Sequence, residues 1–333
     1  MNKNLALIAF CAAPLLGLAP LRAQAGQGFP SGIWTLQDEN ASISTQSLTD
    51  RYYVNGLHIG WTSHQGDVPS ALAGLGHAIW GDGTQRISIS VTQKVFTPAA
   101  TQLIDPPLND EPYAGYLAAT LGLIQDTSTT RSVLAVSAGV VGPDAGAEIV
   151  QNGFHAIIDQ NGTHGWAYQL PSEPAFDILA SRTWRVPLGR FGNGVEVDAL
   201  PQLSGMLGTT EIYAEPAVTF RFGEGLNSDF GAPLLRPGPS GSDAYRPTRP
   251  FVWYVFGGIA GKLVGHDEFL QGANFQISRS VTPYRTVGQI EAGVAIIWRG
   301  MRFSYTQVFQ TKRFHGQIGG IHEYGSLAVS ARF

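Results

Sequence analysis

The last ten residues, YGSLAVSARF, constrain the fold more than any other stretch of this chain. Leu327, Val329, Ala331 and Phe333 fall on one face of an extended chain; Ser326, Ala328, Ser330 and Arg332 fall on the other. Side chains alternate across a strand, so the segment has one apolar face and one small polar face. A strand that stands between lipid and a polar lumen needs that pattern. Segments with roughly the 9–11 residues required to cross a bilayer as a strand recur at 31–39, 51–63, 85–97, 113–125, 131–142, 174–187, 194–207, 212–223, 251–263, 285–298, 301–312 and 322–333. The clearest is QRISISVTQKV, where Ile87, Ile89, Val91 and Val95 point one way and Ser88, Ser90, Thr92 and Lys94 the other. Twelve is even, as a single-chain barrel with both termini on one side requires. The expected fold is all-β: a twelve-stranded antiparallel transmembrane β-barrel. A secreted β-sandwich that happens to end in phenylalanine is the plain alternative.

The N-terminus agrees with export. Lys3 precedes the apolar run LALIAFCAAPLLGLAPL, and Ala23-Gln24-Ala25 follows it. A positive start, a short apolar core and a small-x-small site make a cleavable signal peptide over residues 1–25, leaving a barrel over 26–333. Pro14, Gly17 and Pro20 argue against a permanent spanning helix, and Phe10 before the sole cysteine, Cys11, argues against a lipoprotein site. Beyond residue 25 no run reaches the ~20 apolar residues of a spanning helix. The formal charge of −4 comes with no basic stripe, so nucleic acid is not an expected partner. Charged residues make up 14% of the chain. With few of them on inward faces, a narrow or filled interior is expected rather than a wide charged pore. The terminal Phe333 resembles the sorting signal by which bacterial outer-membrane barrels reach the barrel-assembly machinery, which implies an outer-membrane location.

Connections should alternate between the two membrane sides. With both ends in the periplasm, the turns QDTSTT, GRFGN and RG are suitably short. Two periplasmic segments, 64–84 and 224–250, are long and read only as loops. The longest outward connection holds VVGPDAGAEIVQNGFHAIID, where the alternation fails and a helix over about 144–158 is expected. Gln151 and His155, four apart, share one face of it, with Glu148 close by; Ile149, Val150, Phe154, Ile157 and Ile158 are expected to pack it on the barrel. A polar helix face without chemistry is the alternative. Asp38, Glu39, Asn40, Asp50 and Asn55 cluster oxygen donors at the same rim, which suits Ca²⁺, or else a solvated loop with Asx turns. In FTPAATQLIDPPLNDEPYAGYL, Asp110, Glu111 and Tyr113 are ligands or rim anchors.

TDRYYVNG, FTP followed by NDEPYAGYL, GVVGPDAGAEIVQNGFH, and GW before QLPSEP occur in one order over most of the chain. As a set they resemble the outer-membrane lipid A 3′-O-deacylase family. That resemblance implies a twelve-stranded barrel that removes the 3′-linked acyl (acyloxyacyl) group of lipid A in lipopolysaccharide, with Ca²⁺ as cofactor. It implies His155 as the general base that activates water, Gln151 and Asn40 beside it, and Asn40, Glu39 and Asp50 as metal ligands. Three positions depart from the family pattern: Ala41 follows Asn40 where an aspartate is usual, Val54 stands for threonine, and Glu111 for arginine. Two rival readings are an outer-membrane phospholipase using serine and histidine, and a non-catalytic pore or adhesin.

Overall fold

The computed structural model describes residues 32–44, 51–157, 159–235 and 243–333. The expected signal peptide, Asp50 and Ile158 lie outside the described residues. The strands are β1 (Ile33–Asn40), β2 (Tyr52–Thr62), β3 (Thr84–Thr97), β4 (Ala114–Asp126), β5 (Thr130–Val141), β6 (Glu173–Trp184, resumed as Val186–Arg190), β7 (Glu196–Gly208), β8 (Glu211–Glu224), β9 (Phe251–Asp267), β10 (Thr286–Trp298), β11 (Met301–Gln310) and β12 (His322–Arg332). Each pairs antiparallel with its neighbours, β1 pairs with β12, and β6 with β7, so the sheet forms one closed ring. Closure leaves no unpaired edge, which the apolar bilayer demands. The expected twelve-stranded barrel is therefore present.

Strand β6 is interrupted at Arg185. Its amide donates to Thr129 O (2.7 Å) and its guanidinium reaches inward to Asp229 O (2.5 Å). Pro187, two residues on, has no N–H for the ladder, and the register shifts beside it.

Alternation sets the two faces of the wall. Leu36, Leu57, Ile59, Ile89, Val91 and Leu121 are exposed on the outer surface, where lipid is the solvent. Thr35 and Gln37 point inward and bond to Ser330 (2.9 Å) and Ser326 (2.9 Å) on β12. Trp34, Trp61, Trp184 and Trp298 sit on the outer face near the end that carries both termini, as an interfacial aromatic girdle.

The interior is filled, as expected, but not for want of charge. The segment after β8, which composition alone had marked as a periplasmic loop, runs up the lumen. Leu226, Asp229, Phe230, Leu234, Leu235, Asp243, Ala244 and Tyr245 are all buried there. Asp229 accepts from Arg221 Nη1 (2.7 Å) and Tyr254 OH (2.9 Å), and Arg221 also grips Asp198 through Nε and Nη2 (2.9 and 2.6 Å). Asp243 meets His58 (3.3 Å), and Ala244 O accepts from Arg131 (2.8 Å). Inward charges are thus numerous, and several pair with the plug, because a buried charge is tolerated only with a partner.

The other long periplasmic segment carries helix α1 (Ser70–Trp80). On the opposite side, a 3₁₀ turn (Pro143–Ala145) leads into α2 (Ala147–Ile157), and the short α3 (Glu268–Gln271) follows β9. The expected helix over 144–158 is in fact two pieces, because Gly146 takes φ +68° between them, a conformation that glycine adopts without strain. No described helix is long and apolar enough to cross a membrane.

Candidate functional site

Helix α2 lies against the outer face of the wall, and Gly115 makes the contact possible. A Cβ on Gly115 would stand 2.7 Å from that of Ala147 and 3.0 Å from that of Ala145. Val54, Val95, Tyr113, Ala147 and Trp166 pack together there. Helix and wall then continue along one line of strand partners: Asn40 pairs with Asn55, Asn55 with Val95, and Val95 with Gly115. Two strand spacings, ~10 Å, separate Asn40 from Val95 along this row.

The helix is turned the other way round from the expectation. Its buried side chains are Ala147, Gln151 and His155, while Ile149 and Ile157 are 78% and 60% exposed. Ala147 packs on the wall, Gln151 and His155 are buried against the segment 161–166, Val150 and Phe154 are half-buried, and Ile149 and Ile157 look away. Expecting apolar residues on the wall assumed water outside; at the outer surface of a membrane barrel the surroundings are apolar, and the pattern inverts.

The segment that returns beneath α2 fixes its polar side chains. His155 Nδ1 lies 2.7 Å from Asn161 O. A carbonyl only accepts, so Nδ1 carries the proton and the ring's lone pair is on Nε2. Trp166 Nε1 donates to Thr163 Oγ1 (2.8 Å) and also lies 3.2 Å from Gln151 Oε1, and the Thr163 hydroxyl, whose one proton goes to Asn152, is 3.3 Å from the same oxygen. Asn152 Oδ1 accepts from Thr163 N (2.8 Å) and Thr163 Oγ1 (2.9 Å), clipping helix to loop. Trp166 packs against Tyr113 with ring centroids 4.7 Å apart and planes tilted by 48°. In the sequence, Asn152, Thr163 and Trp166 carry no periodic signal of this role; Asn152 and Trp166 are hinted at by their place in the quoted motifs, and Thr163 by nothing.

The oxygen donors divide across the wall. Leu36, Asp38 and Asn40 share the outer face of β1, and Glu39 points into the lumen. There Glu39 accepts from Gln37 (3.1 Å), Tyr53 OH (2.9 Å) and the Leu235 amide of the plug (2.6 Å). Successive side chains on a strand point to opposite faces, so the expectation of Glu39 and Asn40 as joint ligands is not met. The carboxylate beside Asn40 is Asp38, which accepts from Asn55 Nδ2 (3.0 Å). Asn40 Oδ1 accepts from Ser42 N (2.8 Å) and so caps a short 3₁₀ turn. Asn55 Oδ1 is buried without a hydrogen-bond donor. An orphaned amide oxygen next to a carboxylate and a second amide is a hard-oxygen set that a calcium ion fits. Among the described residues, no three His, Cys, Asp or Glu side chains converge as ligands, so amide and backbone oxygens would have to complete the shell.

The Pro-rich loop resolves into anchors. Asp110 caps it by accepting from Ala99 N (2.8 Å) and Glu111 N (2.9 Å). Glu111, where the family pattern has arginine, pairs with Arg313 Nη1 (2.8 Å), whose Nη2 reaches Asp267 (3.2 Å). Burial pushes the Glu111 carboxyl up to about 8, against the pull of Arg313. Through Arg313, Glu111 and Asp267 tie two rim loops together.

A family model described as outer membrane protein LpxR matches residues 7–333. No curated protein matches the chain. Among solved structures, LpxR from Salmonella typhimurium superposes with a TM-score of 0.73 at 20% identity, covering 90% of this chain and 100% of that one. That likeness is one of fold. The β domain of the Bordetella autotransporter BrkA gives 0.43 at 9% identity over 92% of this chain and 100% of that one. The translocator domain of NalP from Neisseria meningitidis gives 0.40 at 9% over 99% and 98%.

Proposed function

The chain belongs to the outer membrane protein LpxR family, and from that premise we propose that it is an outer-membrane lipid A deacylase that hydrolyses the 3′-O-linked acyl ester. The observation that carries the proposal is the placement of α2 on the lipid side of the barrel, with His155 and Gln151 buried against the segment beneath it; the substrate crevice of this proposal lies between them and the row of Asp38, Asn40 and Asn55. A lipid ester lies in the bilayer, so chemistry on it belongs on that side. Exposed Ile149 and Ile157 give the helix an apolar back suited to acyl chains.

The imidazole of His155, with Nδ1–H held by Asn161 O, takes a proton at Nε2 from water as the water oxygen bonds to the ester carbonyl carbon. The same nitrogen returns the proton to the sugar oxygen as the acyl C–O bond breaks. No covalent acyl-enzyme is needed. Gln151 donates a hydrogen bond to the water or to the developing oxyanion. Asp38, Asn40 and Asn55 would hold calcium, which when bound polarises the carbonyl and stabilises the negative charge on its oxygen. The occupied lumen supports this reading over a pore. At the far end Phe333 is 55% exposed, open to the barrel-assembly machinery.

Mass spectrometry of lipid A tests the proposal directly. Expression of the chain in an outer membrane should produce a species lighter by one 3′-acyl or acyloxyacyl group. An unchanged lipid A profile, with the barrel inserted and calcium present, would overturn it.

A further inference from the structure

Helix α1, in the connection between β2 and β3, has no part in the crevice, which lies at the other end of the strands. It packs on the outside of the wall. Gln85 of β3 and Gln125 of β4 are registered partners and share the parity of Ile89 and Leu121, which face lipid and are about half exposed. Two glutamines on a lipid-facing row need partners. They bond to each other (2.8 Å), Gln85 Nε2 donates to Ala73 O (3.2 Å), and Gln125 Nε2 donates to Gly81 O (3.1 Å). The helix thus covers the row where the apolar belt ends. Gly76 sits directly on Gln85, where a Cβ would be 2.7 Å from Nε2.

The opposite side of α1 is open. Leu75 and Ile79, one turn apart, are 44% and 50% exposed, with Ala71 and Ala78 exposed beside them. Ser70–Trp80 contains no Asp, Glu, Lys or Arg. A surface helix in water carries a charged outer face; here exposed His77 turns back to Gly81 O (3.1 Å) and the rest of this side is apolar, which calls for an apolar neighbour besides the wall. The wall is one neighbour. The other is set by position, because α1 continues the lipid-facing surface just past the girdle of Trp34 and Trp61, on the side that bears the termini.

We propose that α1 is an interfacial helix, seated with Leu75 and Ile79 in the acyl-chain and headgroup boundary of the periplasmic leaflet. Its occupant is phospholipid, and its role is to hold the barrel at a fixed depth on the side opposite the crevice. An interfacial helix buries its apolar face ~5–10 Å into that boundary.

Site-directed spin labels test this in the full chain. Single variants Leu75→Cys, Ile79→Cys and Asp67→Cys, in which the introduced cysteine is the sole one beyond residue 25, are labelled and reconstituted in phosphatidylethanolamine and phosphatidylglycerol vesicles. All three positions are exposed and accept a label without repacking. Collision with oxygen relative to a water-soluble nickel chelate should be several-fold higher at 75 and 79 than at 67, and close to that of a label at Ile89. Equal ratios at 67, 75 and 79 would place the face in water and overturn the proposal. As a second readout, Trp80→Phe should lower the quenching of total fluorescence by brominated acyl chains; unchanged quenching counts against it.

Discussion

His155 is held by a carbonyl on one nitrogen, and this fixes what its replacements can do. His155→Ala should abolish deacylation while the barrel still folds, because strand pairing does not involve this side chain. His155→Gln should be as inactive, since a carboxamide does not accept a proton near neutral pH. Variants that keep the heat-modifiable mobility of a folded barrel are assayed on lipid A; wild-type turnover by either one would move the base elsewhere. The β1 residues allow a sharper separation. Asp38 and Asn40 face the crevice and Glu39 faces the plug, so Asp38→Asn should raise the calcium concentration needed for half-maximal activity by about tenfold or more, the effect of losing a charge-assisted ligand contact of ~1.4 kcal/mol. Glu39→Gln retains an acceptor for the Leu235 amide and should leave the calcium dependence unchanged. A calcium titration of both variants decides it; the reverse order would place the metal on the lumen side.

At the scale of elements, the strands were legible because their period of two is dictated by lipid on one face and a lumen on the other. The same parity, applied to Leu36, Asp38 and Asn40, also separates Glu39 from them. The facing of α2 was not legible, since its periodicity gives an apolar side without saying whether the wall or the surroundings are the apolar phase. Gly115 in the YAG sequence was the quiet signal, a position where helix and wall meet without side chains. Gly115→Val should push α2 off the wall and reduce deacylation at least as far as His155→Ala, with the strand circular dichroism unchanged. Full activity would mean that the close contact is incidental. The rim loops add a pH dependence. Glu111 and Glu268 are pushed up to about 8, Glu111 by burial and Glu268 by burial and then by Glu173 and Asp177. A carboxyl raised in the folded state favours folding fully below its unfolded value, near 4.5, and loses that contribution as pH rises through about 8. Amide exchange in 98–113 and 268–285, corrected for its intrinsic pH dependence, should therefore quicken between pH 6 and 9. Slower corrected exchange at pH 9 would contradict this sign.

For the whole molecule, the proposed division of labour is by surface: the candidate site on the outer face at one end, the proposed membrane-seated helix at the other, and a lumen occupied by the segment after β8. The plug was invisible in the sequence because its buried residues, from Leu226 to Tyr245, follow no period, and Gly and Pro among them read simply as loop. A lumen lined with polar side chains binds an irregular strand through individual bonds rather than through a repeating face. Asp229 is the centre of that binding, accepting from Arg221 and Tyr254, with Arg302 3.6 Å away. Asp229→Ala leaves buried cationic groups without this partner, a change that typically costs about 3–5 kcal/mol, although Asp198 still holds Arg221. Wild-type barrels in a planar bilayer should be electrically silent, and Asp229→Ala barrels should show intermittent conductance as the segment leaves the lumen. Asp229→Asn, which keeps an acceptor for Tyr254, should open less often. Lipid A turnover should survive in both, because the crevice lies outside the wall. Steady conductance through the wild-type barrel would show that the segment does not close it, and loss of turnover on opening would show that lumen and crevice are coupled.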